Sequence, residues 1–426
     1  MKHEIQSLHA LEILDSRGRP TLQVSCTLGD GSCGVASVPS GASTGAAEAL
    51  ELRDGDPRRY GGLGCRKVAA NVNQEIQSAF QGHRFTGQDE LDQALIELDG
   101  TPDKSRLGAN AILGVSLAFA RAMAAQQRIQ LYEYFATLIE GQAKSTPIPL
   151  VNLFSGGVHA GGQVAIQDLQ IIPVAAASID EALATVYAVY QAAAELCLRR
   201  YGMRLLRADE GGQAPPFPNS TAMLSTAVEA VLAAGFEPGR EIRFAVDVAA
   251  SHFYREGRYH LDHEALSSNE LIDRLEKWLT NYPIASLEDA LAEDDWEGWQ
   301  VLYRRLGEQT ILIGDDFLCT NPARIRTAID QRVANGLLIK VNQIGTLSEA
   351  AYACKLAKSA GWKIIASARS GETEDNWLAD LAVGWSADAI KIGSITQSER
   401  LAKYNRLLEI EQNTSFPLQH FSPTPG

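Results

Sequence analysis

The sequence has no paired-cysteine motif, no long apolar run and a deficit of basic residues, and each absence excludes something. Its six cysteines (Cys26, Cys33, Cys65, Cys197, Cys319, Cys354) are scattered, with no C-x-x-C pair and no zinc-ligand spacing. They read as reduced thiols of a cytoplasmic protein, most of them small buried side chains. No stretch approaches the length needed to span a membrane, and the opening MKHEIQSLHALEILDSRG places charged and polar residues where a secretory signal needs an apolar core. Export by the usual route is therefore not expected. Acidic side chains number 52 against 38 basic ones, a formal charge of −14. Such a surface repels polyanions and argues against broad binding of nucleic acid or an anionic membrane. Any anionic small molecule must meet a locally positive pocket.

What is present fits a folded protein of two parts. The chain has 426 residues, 45% hydrophobic and 21% charged, which suits two domains or a large barrel carrying an added one. Residues 5–38 alternate apolar and polar side chains between turns such as Gly29-Asp30-Gly31, the pattern of a small antiparallel sheet. Ile112, Val115 and Phe119 then recur at helical spacing, which predicts a helix over 110–125 packed on that sheet. Residues 1–142 thus read as an N-terminal α+β capping domain. The stretch GQAKSTPIP over 141–149 reads as a linker, and 143–413 as a second domain. The tail over 414–426, rich in proline and small polar residues, is expected to have little fixed structure.

In the second domain, short apolar runs end at Asp247, Glu288, Asp315, Lys340, Ser367 and Lys391, with amphipathic stretches between them. Regular βα units of this kind predict an α/β fold with a (β/α)8-type barrel, whose strand ends converge on one mouth. A doubly wound open sheet would instead scatter the same charges on loops. Three carboxylates on successive strands suit a hard divalent cation such as Mg2+, although each alone could simply cap the helix that follows. Lys340 and Lys391 emerge beside them. An amine near a metal ion and another cation has a lowered pKa and can act as a base, whereas a salt-bridged or snorkelling lysine is the ordinary alternative.

Several ordered segments resemble those of the enolase family: DSRG from Asp15, SGASTG from Ser40, GANAILGVS from Gly108, DEGG from Asp209 and DVAAS from Asp247. KVNQIG from Lys340, SGETED from Ser370 and SERLAKYN from Ser398 continue the series. The resemblance implies an enolase-like barrel with its capping domain, acting as a lyase on a small phosphorylated carboxylic acid. The expected reaction is reversible dehydration of 2-phosphoglycerate to phosphoenolpyruvate in glycolysis through a magnesium-stabilised enolate. It further implies that Asp247, Glu288 and Asp315 hold one Mg2+ at the substrate site, and that Ser43 on the SGASTG lid helps bind a second. By the same resemblance Lys340 is the base, Glu210 helps water leave, and Arg369 and Ser370 hold the phosphate. Lys391 and Gln167 hold the carboxylate end, and His159 lies near the substrate on a glycine-rich loop. Family members are usually dimers or larger homo-oligomers.

Two positions depart from the family pattern. Asp168, at the substrate site, stands where glutamate is expected, and Ala368 replaces a histidine before Arg369. KIGSITQ from Lys391 also differs from the usual K-T-G-A. Alongside a divergent phosphopyruvate hydratase, these changes leave open a paralogue acting on a modified phospho- or phosphonocarboxylate, similar to carboxyphosphonoenolpyruvate synthase. A catalytically weak binding protein is a third reading.

Overall fold

Chain alternation at the start of the molecule builds a sheet with one wet face. The computed structural model describes residues 3–42, 45–202 and 206–422. Strands β1 (His3–Leu14), β2 (Pro20–Leu28) and β3 (Cys33–Ser37) pair antiparallel in sequence order, with the short β4 (Arg84–Phe85) on the far edge of β1. Leu22, Val24, Cys26 and Leu28 occupy every second position of β2 and are fully buried, as a period-2 pattern over a core requires. They face the helix Ala109–Gln127, which covers the segment expected to be helical. At Gly114 a Cβ would lie 2.5 Å from Val24 Cγ2, so only glycine permits this approach of helix to sheet.

The second domain is a closed barrel of eight strands. It opens with β5 (Ile148–Ser155), β6 (Asp168–Ile172) and β7 (Arg243–Asp247). A small antiparallel sheet follows, formed by β8 (Tyr254–Arg255), β9 (Arg258–Leu261) and β10 (Glu264–Leu266). The barrel resumes with β11 (Ile284–Glu288), β12 (Ile311–Gly314), β13 (Gly336–Ile339), β14 (Lys363–Ser367) and β15 (Ala389–Gly393), which closes on β5. Every residue of β11, β12 and β13 is buried, which explains their unbroken apolar runs, since a strand covered on both faces has no wet side. All six strands expected from charged or polar run ends are present and mutually parallel. One expectation is corrected: β6 runs antiparallel to both β5 and β7. Residues 156–167 join β5 to β6 without a crossover helix, and a return that short yields an antiparallel pair. Two helices in succession, Ile179–Tyr201 and Ser220–Ala233, then lead to β7.

The outer helices carry their own start signals. Ser267 and Glu270 form a capping box on Ser268–Asn281, whose Leu271, Ile272, Leu275 and Trp278 make one buried stripe. Asn321 and Thr346 cap the helices Pro322–Gln331 and Leu347–Ser359. The tail is a second correction. Thr146 N–H donates to Pro417 O at 3.0 Å and Gln419 N–H to Thr146 O at 2.8 Å, while Leu418 and Phe421 are buried. Two large apolar side chains among the prolines anchor the segment through Ser422; residues 423–426 lie outside the described part. All six cysteines are free and all but Cys33 buried. Among the described residues no helix is long and apolar enough to cross a membrane.

The capping domain meets the barrel at the carboxyl ends of its strands. Ser40 bridges Gly371, Arg17 Nη1 donates to Ser370 Oγ at 3.2 Å, and Asp92 accepts from Ser348 N–H at 2.9 Å.

Candidate active site

Adjacent strands of the barrel bring acids and amines into alternation. Asp247 and Glu288 end β7 and β11 and are register partners. Asp315 and Lys340 each stand one residue past β12 and β13, and Lys391 lies within β15. All five are buried. Lys391 Nζ donates to Asp247 Oδ2 at 2.8 Å and to the two oxygens of Glu288 at 2.7 and 2.8 Å. Lys340 Nζ is ion-paired with Asp315, whose other oxygen accepts from Gln343 Nε2 at 2.9 Å. Behind Asp315, Asp289 accepts the backbone N–H groups of Asp315 and Asp316 at 2.9 and 2.8 Å.

Burial disfavours every charge here, and the neighbours decide which charges persist. Burial together with the Asp247 charge pushes the Glu288 carboxyl well above its usual range, and burial with Asp315 raises Asp316 to about 7. For Asp315 burial is outweighed by Lys340 and Lys391, so its carboxyl is held low. Burial also works against the amines, but Asp315 raises Lys340, and Asp247 with Glu288 holds Lys391 well above the ordinary lysine value. This corrects the expectation of lowered lysine pKa values. At contact distance the carboxylates outweigh the second cation, so an amine at this mouth becomes a base only when its carboxylate partner is engaged elsewhere.

The facing wall comes from the antiparallel strand and the loops beside it. Ser155 Oγ donates to Asp168 Oδ1 at 2.5 Å, and His159 Nδ1 lies 3.0 Å from Asp168 Oδ2. Asp168 is fully buried, and the His159 side chain is 7% exposed. His159 Nε2 stands 3.9 Å from Glu210 Oε1, and Glu210 Oε2 accepts from Asn152 Nδ2 at 3.0 Å. Burial alone would lower the imidazole pKa, but Asp168 and Glu210 overcome it and raise it to about 9. A raised folded-state value contributes stability that is complete below the free imidazole's 6.5 and is lost as pH rises through about 9. The His159 ring C–H signals should therefore titrate near pH 9 in NMR spectra and fall back toward 6.5 in Asp168→Asn. A wild-type midpoint at 6.5 or below would show that the pair does not form.

Gln167 Nε2 donates to Asp247 Oδ2 at 3.2 Å, while Gln167 Oε1 is buried with no hydrogen-bond partner. Arg369 reaches Asn342 Oδ1 at 2.9 Å and Glu48 at 3.2 Å, and Ser370 O accepts from Arg400 Nη2 at 2.7 Å. Ala368 is buried between Ser367 and Arg369 and donates its backbone N–H to Lys391 O. Ser43 lies outside the described residues.

The residues present fit a hard divalent cation. Asp247, Glu288 and Asp315 offer only oxygen, the donor type that a hard divalent cation prefers. Among the described residues the groups whose ligand atoms all lie within 4.8 Å of one another are Asp289, Asp315 and Asp316, and His159, Asp168 and Glu210; Asp247 and Glu288 belong to neither.

Contacts at the barrel mouth thus join Lys391 to Asp247 and Glu288, Lys340 to Asp315, Gln167 to Asp247, and His159 to Asp168, while Arg369 meets Glu48 and Asn342 and Ser370 meets Arg17 and Arg400. They add Ser155, Asn152, Glu48, Asn342 and Gln343. Asn342 and Gln343 lie inside the KVNQIG segment, so their signal was in the sequence; Ser155 becomes visible only through its register opposite Asp168.

Fold and mouth together define an eight-stranded α/β barrel, capped by a separate domain, with buried carboxylates and lysines at its open end. Residues 143–419 match the family model of the enolase C-terminal TIM barrel domain, and residues 5–135 that of the enolase N-terminal domain. The chain belongs to the enolase family and is a lyase of that superfamily.

Proposed function

We propose that this enzyme reversibly dehydrates 2-phosphoglycerate to phosphoenolpyruvate, as a cytoplasmic homo-oligomer in glycolysis, with Asp247, Glu288 and Asp315 as its magnesium ligands. The observation that carries this reading is the interleaving of Lys340 and Lys391 with those three acids in one buried mouth. A hydrogen α to a carboxylate is a very weak acid, and enolase-superfamily sites with a lysine base and magnesium are the handling of this problem that general enzymology already describes. Magnesium, when bound, supplies positive charge to the carboxylate on which the second negative charge develops. Lys340 takes the α hydrogen. Lys391 and Gln167 orient the carboxylate end, for which the unpartnered Gln167 Oε1 leaves an open acceptor. Arg369 and Ser370 hold the phosphate, and the wall of His159, Asp168 and Glu210 faces the departing hydroxyl.

Incubation of the protein with 2-phosphoglycerate and magnesium in heavy water tests this. Phosphoenolpyruvate forms and the α position exchanges; absence of both would remove the reading. The buried Ala368, which offers no side-chain donor, favours a second reading, a modified phospho- or phosphonocarboxylate as substrate. Exchange without dehydration of 2-phosphoglycerate would select it.

A further inference from the structure

Outside the mouth, a cavity of about 620 Å³ lies between the loop over 157–165 and the small sheet of β8, β9 and β10, and its lining includes none of the site residues named above. Strand register decides what that sheet presents. Tyr254 stands opposite Tyr259, Arg255 opposite Arg258, and Ala265 opposite His260. Partners across an antiparallel pair share a face and neighbours along a strand alternate. Tyr259 and Leu261 are buried in the core, so Arg255, Arg258 and His260 turn the other way. Asp262 and His263 form the two-residue turn between β9 and β10, both at left-handed φ (49° and 72°), the backbone of a tight hairpin. Asp262 accepts from Ser220 N–H at 3.0 Å and from Ser220 Oγ at 2.9 Å, which ties the turn to the start of the helix Ser220–Ala233.

The charge left facing this cavity has one sign. Arg258 is spent on Ala265 O at 3.1 Å. Arg255, His260 and His263 line the cavity and, among the described residues, their side chains have no hydrogen bond or ion pair. Asp262 is the one carboxylate in the lining, and Ser220 takes both its oxygens. A guanidinium is charged at any ordinary pH, and even a neutral imidazole donates one N–H. In a chain of formal charge −14, an unspent cation among unspent donors is a local reversal that draws anions. Among the described residues His252, His260 and His263 form no group with ligand atoms within 4.8 Å of one another, so they are spaced for something larger than a metal ion. Val158, Pro218 and Phe253 add apolar lining, and the volume falls in the range of about 300–1,000 Å³ usual for small-molecule sites.

We propose that this cavity binds a small organic anion, with its carboxylate or phosphate head held by Arg255, His260 and His263 and its apolar body against Val158, Pro218 and Phe253. Such binding is independent of whether the mouth dehydrates 2-phosphoglycerate. Calorimetric titration of the magnesium-loaded full chain with phenyl phosphate, benzoate, inorganic phosphate and phenol tests it. At least one of the two aryl anions should bind at a single site about tenfold or more tighter than phenol and inorganic phosphate, and shift the ring signals of His260 and His263 in NMR spectra. Arg255→Ala, at an exposed position, should fold normally and weaken that binding about 10- to 100-fold, the effect of losing a hydrogen bond to a charged group. His260→Ala should weaken it as well, whereas Arg369→Ala, at the mouth, should leave it within about threefold. Absence of saturable binding by both aryl anions, or an affinity unchanged in Arg255→Ala, overturns the proposal. So does binding lost in Arg369→Ala and kept in Arg255→Ala, which would put the anion in the mouth. Phenol binding as tightly as the aryl anions would make the cavity merely apolar, and inorganic phosphate doing so would remove the role of the organic body.

Discussion

Lys340→Met abolishes α-hydrogen exchange and lowers dehydration of 2-phosphoglycerate by about 10⁴-fold, the upper end for loss of a positioned base. Exchange is the sharper readout, because it needs only removal and return of one carbon-bound hydrogen and is indifferent to the acid side. The variant must also be shown to fold. Lys340 is ion-paired with Asp315, and deleting one partner of a buried pair typically costs about 3–5 kcal/mol. Here part of that cost is offset, because Asp315 keeps Gln343 Nε2 at 2.9 Å and the field of Lys391. Circular dichroism and urea unfolding in magnesium therefore accompany the assay. Exchange persisting at a tenth of the wild-type rate in folded Lys340→Met would show that another group is the base.

The parallel strands were legible because burial on both faces leaves an apolar run that stops where the mouth begins. Phe244 to Asp247 and Leu337 to Lys340 show this, and their ends named the carboxylates and amines. The hairpin of β5 and β6 was not legible in that way. IPLVNLFS and DLQII are apolar enough, but Asp168 starts its strand rather than ending it, and only the reversal of chain direction brings it to the mouth. The sign of the lysine shifts was hidden for a related reason. Proximity to a second cation can be inferred from strand order, whereas a carboxylate at 2.7 Å is a property of side-chain placement in three dimensions. Proline content in the tail likewise concealed Leu418 and Phe421, whose burial depends on an open backbone position at Thr146.

Removing Lys391 should make the fold dependent on divalent cation. Its amine donates to three carboxylate oxygens of Asp247 and Glu288, one of which it shares with the Gln167 amide. In Lys391→Met those acids face each other in a buried site with only the Gln167 amide between them and the cost of an orphaned charge, and about 3–5 kcal/mol is a large part of the roughly 5–15 kcal/mol that holds a typical fold. Glu288 relieves some of it by taking a proton, since burial and Asp247 already push its carboxyl well above the usual range and loss of the amine pushes it further. A carboxyl raised in the folded state binds its proton more tightly there than in the unfolded chain. Its stabilising contribution is therefore complete below the free glutamate value of about 4.3 and is lost as pH rises through the folded value. Metal-free Lys391→Met should accordingly be closest to wild type in weakly acidic solution and weakest in alkali. Magnesium that binds only the folded chain adds about 2.7 kcal/mol at one hundred times its dissociation constant, and it must displace the Glu288 proton to do so. The rise in melting temperature with magnesium should therefore be larger in the variant than in wild type, and larger at about pH 8 than at about pH 5, where the proton competes. Equal shifts in both proteins, or a metal-free variant as stable as wild type at pH 8, would mean that Asp247 and Glu288 do not share a cation.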